Sequence, residues 1–297
     1  MEGISEEWSG KTFGTGWMHE RLMEMLRIVD VRIFYGFTAI FVIPFCLVFN
    51  PSGRIAYDYF RHRHNYSPLK ACWSAYKNHC LFGEIVIDRF AMWAGRKFQT
   101  TLVGYDKFRN LAVKEDAFIQ LSAHIGNYEV AGYSLVAESK RFNALVFGGE
   151  KETVMSNRKK IFDNQNINMI PIREDMSHIF ERNACIENHE TVSMPADRIH
   201  GSKKSIEKTF LGEKADFPLG PFQVATLKGL DTLAVNVLKT GWNAYTIYVT
   251  ELPYDKNASR KEQIAQLSDA YIKELETRIK EHPIQWFNYF RFWKEPT

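Results

Sequence analysis

Ala117-Phe-Ile-Gln-Leu-Ser-Ala-His-Ile-Gly-Asn-Tyr-Glu129 begins as a buried strand and breaks into a small polar turn. Ala117 to Leu121 is almost uninterrupted apolar sequence, and Gly126 allows the bend that follows. The stretch places an imidazole, His124, and a carboxylate, Glu129, beside a helix N-terminus. In one continuous helix a separation of five would point the two side chains about 140° apart. With the turn between them, His124 precedes the helix while Glu129 sits in its first turn and reaches back, as the acid of a capping box does. The helix dipole favours a carboxylate there. So placed, Glu129 holds one ring nitrogen of His124 protonated and leaves the other as a base. That is the logic of a catalytic triad without a protein nucleophile, and the nucleophile then belongs to a substrate. A histidine before a helix is also a common cap or surface residue, so spacing alone does not decide between the two.

Working outward, short β-rich runs near Leu102, Phe118, Leu145, Ile167 and Thr191 alternate with helical ones, and further strands are expected at 206–211, 233–238 and 245–250. This alternation predicts an α/β fold with a central, largely parallel mixed sheet flanked by helices. Catalytic groups then gather at the carboxyl ends of the strands, where His124 lies. Ser67 to Ala94 reads as a long packing helix with Ser67-Pro68 at its start, and 260–281 as a charged amphipathic helix. Residues 33–49 form the one long uncharged apolar run. The run is at the short end of the roughly 17 to 25 residues that cross a bilayer, and it contains Pro44. It either spans the membrane or lies kinked in one leaflet, with a buried core helix as the competing reading. The expected organisation is a membrane-associating region, 1–66, with its hydrophobic helix at 33–49, followed by an α/β catalytic domain, 67–297.

The 297 residues, 45% hydrophobic and 25% charged, suffice for one large domain with a full core. A net charge of +3 without a basic stripe excludes nucleic acid as the expected partner. The small surplus still suits an anionic membrane or an acidic carrier protein. Cys46, Cys72, Cys80 and Cys185 form neither a disulfide framework nor a Cys-x-x-Cys motif, which agrees with a reducing, cytoplasmic face. His62, His64, Cys72, His79 and Cys80 match no common ligand spacing, so no metal is expected. Gly10-Lys11-Thr12 lacks the earlier glycine of a phosphate loop, since Ser5 stands there. Gly132-Tyr133-Ser134-Leu135-Val136 lacks the second glycine of a hydrolase elbow.

Four blocks carry a family resemblance. They are His124 to Glu129, Pro195-Ala196-Asp197-Arg198, Phe210-Leu211-Gly212, and Pro218-Leu219-Gly220-Pro221-Phe222. In this order and spacing, from near residue 8 to near residue 293, the chain resembles the lipid A biosynthesis acyltransferase family. Glu129 stands where the wider glycerolipid acyltransferases carry Asp, as is usual in the lipid A branch, and Ala196 separates Pro195 from Asp197. The resemblance implies an acyltransferase at the cell inner membrane, with its catalytic domain on the cytoplasmic side. It implies acyl carrier protein as donor partner, a lipid acceptor, and no cofactor beyond the phosphopantetheine that the donor carries. His124 would be the general base and Glu129 its orienting acid. Backbone N–H groups of Gly126 and Asn127, with the Asn127 side chain beside them, are candidate oxyanion donors. By the resemblance, Asn157 and Arg158 lie near a substrate phosphate, where the planar fork of Arg158 suits bidentate contact, and Asp197 and Arg198 position the acceptor. By the resemblance the leading acceptor is a lipid A precursor, with an amino-acid lipid or a polyene pigment as the alternative. A non-catalytic membrane scaffold is the reading from a different class, and the intact His124 and Glu129 speak against it. The aromatic tail 282–293 is expected to pack back onto the domain.

Overall fold

A computed structural model describes residues 15–135, 140–147, 166–173, 175–199 and 204–293. Helices α1 (Gly16–Ile28), α2 (Val31–Phe37), α3 (Ile43–Phe49), α4 (Ser52–Arg63) and α5 (Pro68–Trp93) precede strand β1 (Gln99–Val103). A π-helical turn, Thr38–Val42, makes α2 and α3 one continuous rod. There follow α6 (Tyr105–Ala112), β2 (Phe118–Ser122), α7 (Glu129–Ser134), β3 (Phe142–Phe147), β4 (Ile167–Ile172), α8 (Ser177–Glu187) and β5 (Thr191–Pro195). The hairpin β6 (Ser205–Phe210) and β7 (Glu213–Pro218) leads to α9 (Leu219–Leu227), β8 (Asp231–Gly241), β9 (Ala244–Glu251) and α10 (Arg260–Glu281).

Among the described residues, seven strands form one sheet in the order β1-β9-β8-β2-β5-β3-β4. Every neighbouring pair is parallel except β8 with β9, so the sheet is mixed and largely parallel, as its sequence predicts. Strand β2 lies between β8 and β5, with both faces covered. The period of two sends Ile119 and Leu121 into one core and Phe118 into the other. The first core takes in α9, α10 and the C-terminal aromatic residues, and the second takes in Val130 and Leu135 of the segment after the turn. The partner strand of the hairpin, β7, escapes sequence reading because Glu-Lys-Ala-Asp-Phe-Pro shows no apolar run. Its pairing is set by the reversal at Leu211 and Gly212, both at positive φ.

The helices before residue 67 are packed on the domain. Ala56, Tyr59 and Phe60 of α4 share a core with Ile119 and Leu121, while Leu26, Val31 and Tyr35 pack on Ile87, Phe90 and Trp93 of α5. The expected boundary at 66–67 thus runs through continuous packing. Ser67 caps α5, accepting from the Lys70 N–H, and Pro68 fills its first position, as expected. The α2–α3 rod lies along this helix, with the Tyr76 hydroxyl donating to the Ala39 carbonyl. Its outer face is bare: Ile33, Phe37, Ile40, Phe41, Phe45, Val48 and Phe49 are all exposed.

Candidate active site

The sheet register brings the site together. Ser122 at the end of β2 sits opposite Pro195 at the end of the parallel neighbour β5, and the Ala196 N–H donates to the Ser122 carbonyl at 2.9 Å. Two residues further along each chain, His124 and Asp197 therefore meet. His124 Nδ1 lies 2.8 Å from Asp197 Oδ1, and the His124 backbone N–H donates to Asp197 Oδ2 at 2.8 Å. One carboxylate thus fixes both the ring and its backbone. Nδ1 carries the proton in this pairing, which leaves Nε2 as the basic nitrogen. Asp197 is 1% exposed. Burial raises its pKa, but the charge of His124, the hydrogen bonds from its ring and backbone, and the nearby Arg198 outweigh this and hold the carboxyl at about 2.

This arrangement corrects one expectation. The acid at Nδ1 is Asp197, 73 residues downstream, and not Glu129. Glu129 does begin α7, but its buried carboxylate forms an ion pair with Arg89 of α5. The pair ties the helix after the turn to the long packing helix. Replacing Glu129 by Gln keeps a hydrogen-bond acceptor and removes the charge that matches Arg89. We expect a lower melting temperature and a loss of activity smaller than that of His124→Ala. A melting temperature and rate equal to wild type would leave the ion pair without a role.

The oxyanion assignment is also corrected. The Gly126 N–H donates to the Gln285 carbonyl at 2.8 Å and the Asn127 N–H to the Val237 carbonyl at 3.0 Å, so both amides are already spent. The Asn127 side chain points inward, where its Nδ2 reaches the Tyr245 hydroxyl at 3.5 Å. Both residues shape the turn. Gly126 has φ +56°, and a Cβ there would lie 1.8 Å from the Val237 carbonyl oxygen, so only glycine fits this close approach.

Arg198 follows Asp197 and turns toward the C-terminal segment. Its guanidinium donates to the Phe287 carbonyl and lies 5.3 Å from the centre of the Phe290 ring, and burial lowers its pKa. Asn157 and Arg158 lie outside the described residues. Sequence reasoning missed the part played by residues 285–287. The Phe287 N–H donates to the His124 carbonyl at 3.0 Å, Ile125 bridges Trp286, and Trp286 is buried in the main core. Density of aromatic residues gave the packing of this tail, but nothing in it marks a contact with the turn. Tyr128, whose ring meets that of His124 edge-on at 6.1 Å, was likewise not singled out.

The profile of the family described as bacterial lipid A biosynthesis acyltransferase matches residues 86–295. That span holds the turn, Asp197, Arg198 and the C-terminal segment, and leaves α1 to α4 outside. No curated protein matches the sequence. Among solved structures, the chain is similar to the 1-acyl-sn-glycerophosphate (LPA) acyltransferase PlsC from Thermotoga maritima, at 12% identity. That likeness covers 90% of this chain and 98% of the other with a TM-score of 0.41, and adds nothing to the fold already described.

Proposed function

We propose, from the premise that this chain belongs to the bacterial lipid A biosynthesis acyltransferase family, that it moves a fatty acyl chain from an acyl carrier protein thioester to a hydroxyl or amine of a lipid A precursor. Acyl transfer to a lipid comes with the family; the donor and the acceptor are our reading. The observation that carries it is the His124 ring held through Nδ1 by a buried, ionised Asp197. As the acceptor oxygen or nitrogen attacks the thioester carbonyl, His124 Nε2 takes its proton and Asp197 stabilises the imidazolium. Collapse of the tetrahedral intermediate breaks the C–S bond, and the imidazolium returns the proton to the departing thiolate. No acyl-enzyme forms. Asn157 and Arg158 are assigned to a substrate phosphate, and Arg198 to positioning the acceptor, as the family resemblance implies.

Purified protein in detergent, given acyl carrier protein thioester, should release thiol only when a lipid A precursor is added, with one new acyl chain on that lipid by mass spectrometry. Transfer instead to an amino-acid lipid or a polyene pigment would overturn the acceptor assignment. A comparison of lipid extracts from cells with and without the protein identifies the acceptor independently.

Attachment to the membrane is assigned to the α2–α3 rod, on the cytoplasmic side of the inner membrane. Val31–Phe49 has a mean hydropathy of 2.0, and 17% of its most apolar window is buried. Apolar side chains left in water cost about 25 cal/mol per Å² of surface, so a bilayer is strongly preferred. The protein is therefore expected to pellet with membranes and to resist release by alkaline carbonate, because the attachment does not depend on a net charge of +3. Full-length protein in the soluble fraction without detergent would overturn this.

A further inference from the structure

Beyond Leu121, where its pairing with β2 ends opposite Ala234, strand β8 continues to Gly241 with one edge facing the catalytic turn. The backbone N–H and carbonyl of Lys239 on this edge have no strand to pair with. The Gln285 side chain takes the place of one: Oε1 accepts from the Lys239 N–H at 2.8 Å, and Nε2 donates to the Lys239 carbonyl at 2.8 Å. Through its backbone carbonyl the same residue accepts from the Gly126 N–H at 2.8 Å. Two residues on, the Phe287 N–H holds the His124 carbonyl. Gln285 is 5% exposed. A primary amide is the uncharged side-chain group that donates and accepts in one plane as a peptide does.

From this geometry we infer that Gln285 is a positioning residue for the reaction, an amide clamp that sets the His124 turn against β8. The strand it grips is itself fixed. Lys239 forms a buried ion pair with Asp88 of α5, lies 3.6 Å from Glu84 and 3.1 Å from the Tyr35 hydroxyl, and Asp88 also accepts from the hydroxyls of Tyr35 and Tyr245. Asn78 of α5 holds the tail, donating to the carbonyls of Ile284 and Trp286. The clamp therefore joins a rigid strand to the turn that carries the base. A base displaced by about 1 Å costs on the order of 10²-fold in rate without any lost substrate contact.

This inference rests on His124 acting as the base. Its test uses two variants of the full-length protein. Gln285→Leu removes both amide hydrogen bonds and should lower kcat by about 10- to 100-fold while leaving KM for donor and acceptor within about twofold. Gln285→Glu is discriminating because its ionised carboxylate cannot donate to the Lys239 carbonyl, whereas the protonated acid restores both hydrogen bonds with nearly the same shape. The ratio of its kcat to that of wild type should therefore rise as pH falls. The charged groups around the clamp, Lys239 with Asp88 and Glu84 and His124 with Asp197, are present in both proteins, so the ratio reads the effect of the new carboxyl group, its coupling to these neighbours included. A wild-type kcat for Gln285→Leu, a change in KM alone, or a pH-independent ratio for Gln285→Glu would each overturn the clamp. If Gln285→Leu does not fold, the pH dependence of the Glu variant still decides. Full activity in His124→Ala would overturn the base assignment, whereas an inactive His124→Ala beside a fully active Gln285→Leu overturns the clamp alone.

Discussion

Replacing His124 by Ala should lower kcat for acyl transfer by about 10² to 10⁴, the range a general base supplies. The fold should survive. The side chain emerges from a turn whose backbone is held independently, by Phe287 at the His124 carbonyl and by Gln285 and Val237 at the Gly126 and Asn127 amides. Circular dichroism and the melting midpoint should stay close to wild type, although the buried Asp197 loses a partner. Binding of donor and acceptor should change little, since proton removal belongs to the transition state. Activity within about threefold of wild type would exclude His124 as the base.

Replacing Asp197 by Asn should lower kcat by on the order of 10³ to 10⁴, more than Glu129→Gln, because the amide no longer offsets the imidazolium charge and its NH₂ competes for Nδ1. A ring that donates from Nε2 instead cannot remove the acceptor proton. The substitution also removes a pH-dependent term in stability. The folded-state pKa of Asp197, about 2, is below the ordinary value of 3.8. This contribution is therefore present above about pH 4 and lost as pH falls toward 2. Wild type should lose more stability than Asp197→Asn across that interval in denaturant titrations at successive pH values. An Asn variant with wild-type kcat, or identical pH dependence in the two proteins, would remove Asp197 from the role described here.

The two substitutions also separate the competing orienters. Both Glu129 and Asp197 are carboxylates within the resemblance blocks, and the sequence offers the nearer one first. Five residues of separation across a turn suggest contact, but the turn ends with Glu129 directed to Arg89. Asp197 reaches His124 because two parallel strands end in register, a relation between segments that are distant along the chain.

The amino-acid sequence by itself determined those features whose cause is local or periodic. Alternation of short apolar runs and helical stretches specified the α/β class and the places of most strands. Ser67-Pro68 specified the start of α5, the amphipathic pattern within 260–281 specified α10, and the uncharged run at 33–49 specified a helix that needs an apolar surrounding. Gly126 and the apolar strand before it identified the turn that bears His124. Tertiary structure decided what depends on strand order and register. Asp197 rather than Glu129 meets Nδ1 because β5 lies beside β2; the amides of Gly126 and Asn127 are spent because β8 and the C-terminal tail flank the turn. The hydrogen bonds that aim His124 come from residues 197, 237, 285 and 287, and no spacing rule joins such positions. Their meeting is fixed by burial of a common core, which rewards apolar area whatever its distance along the chain, while hydrogen-bond partners follow from the packing it imposes.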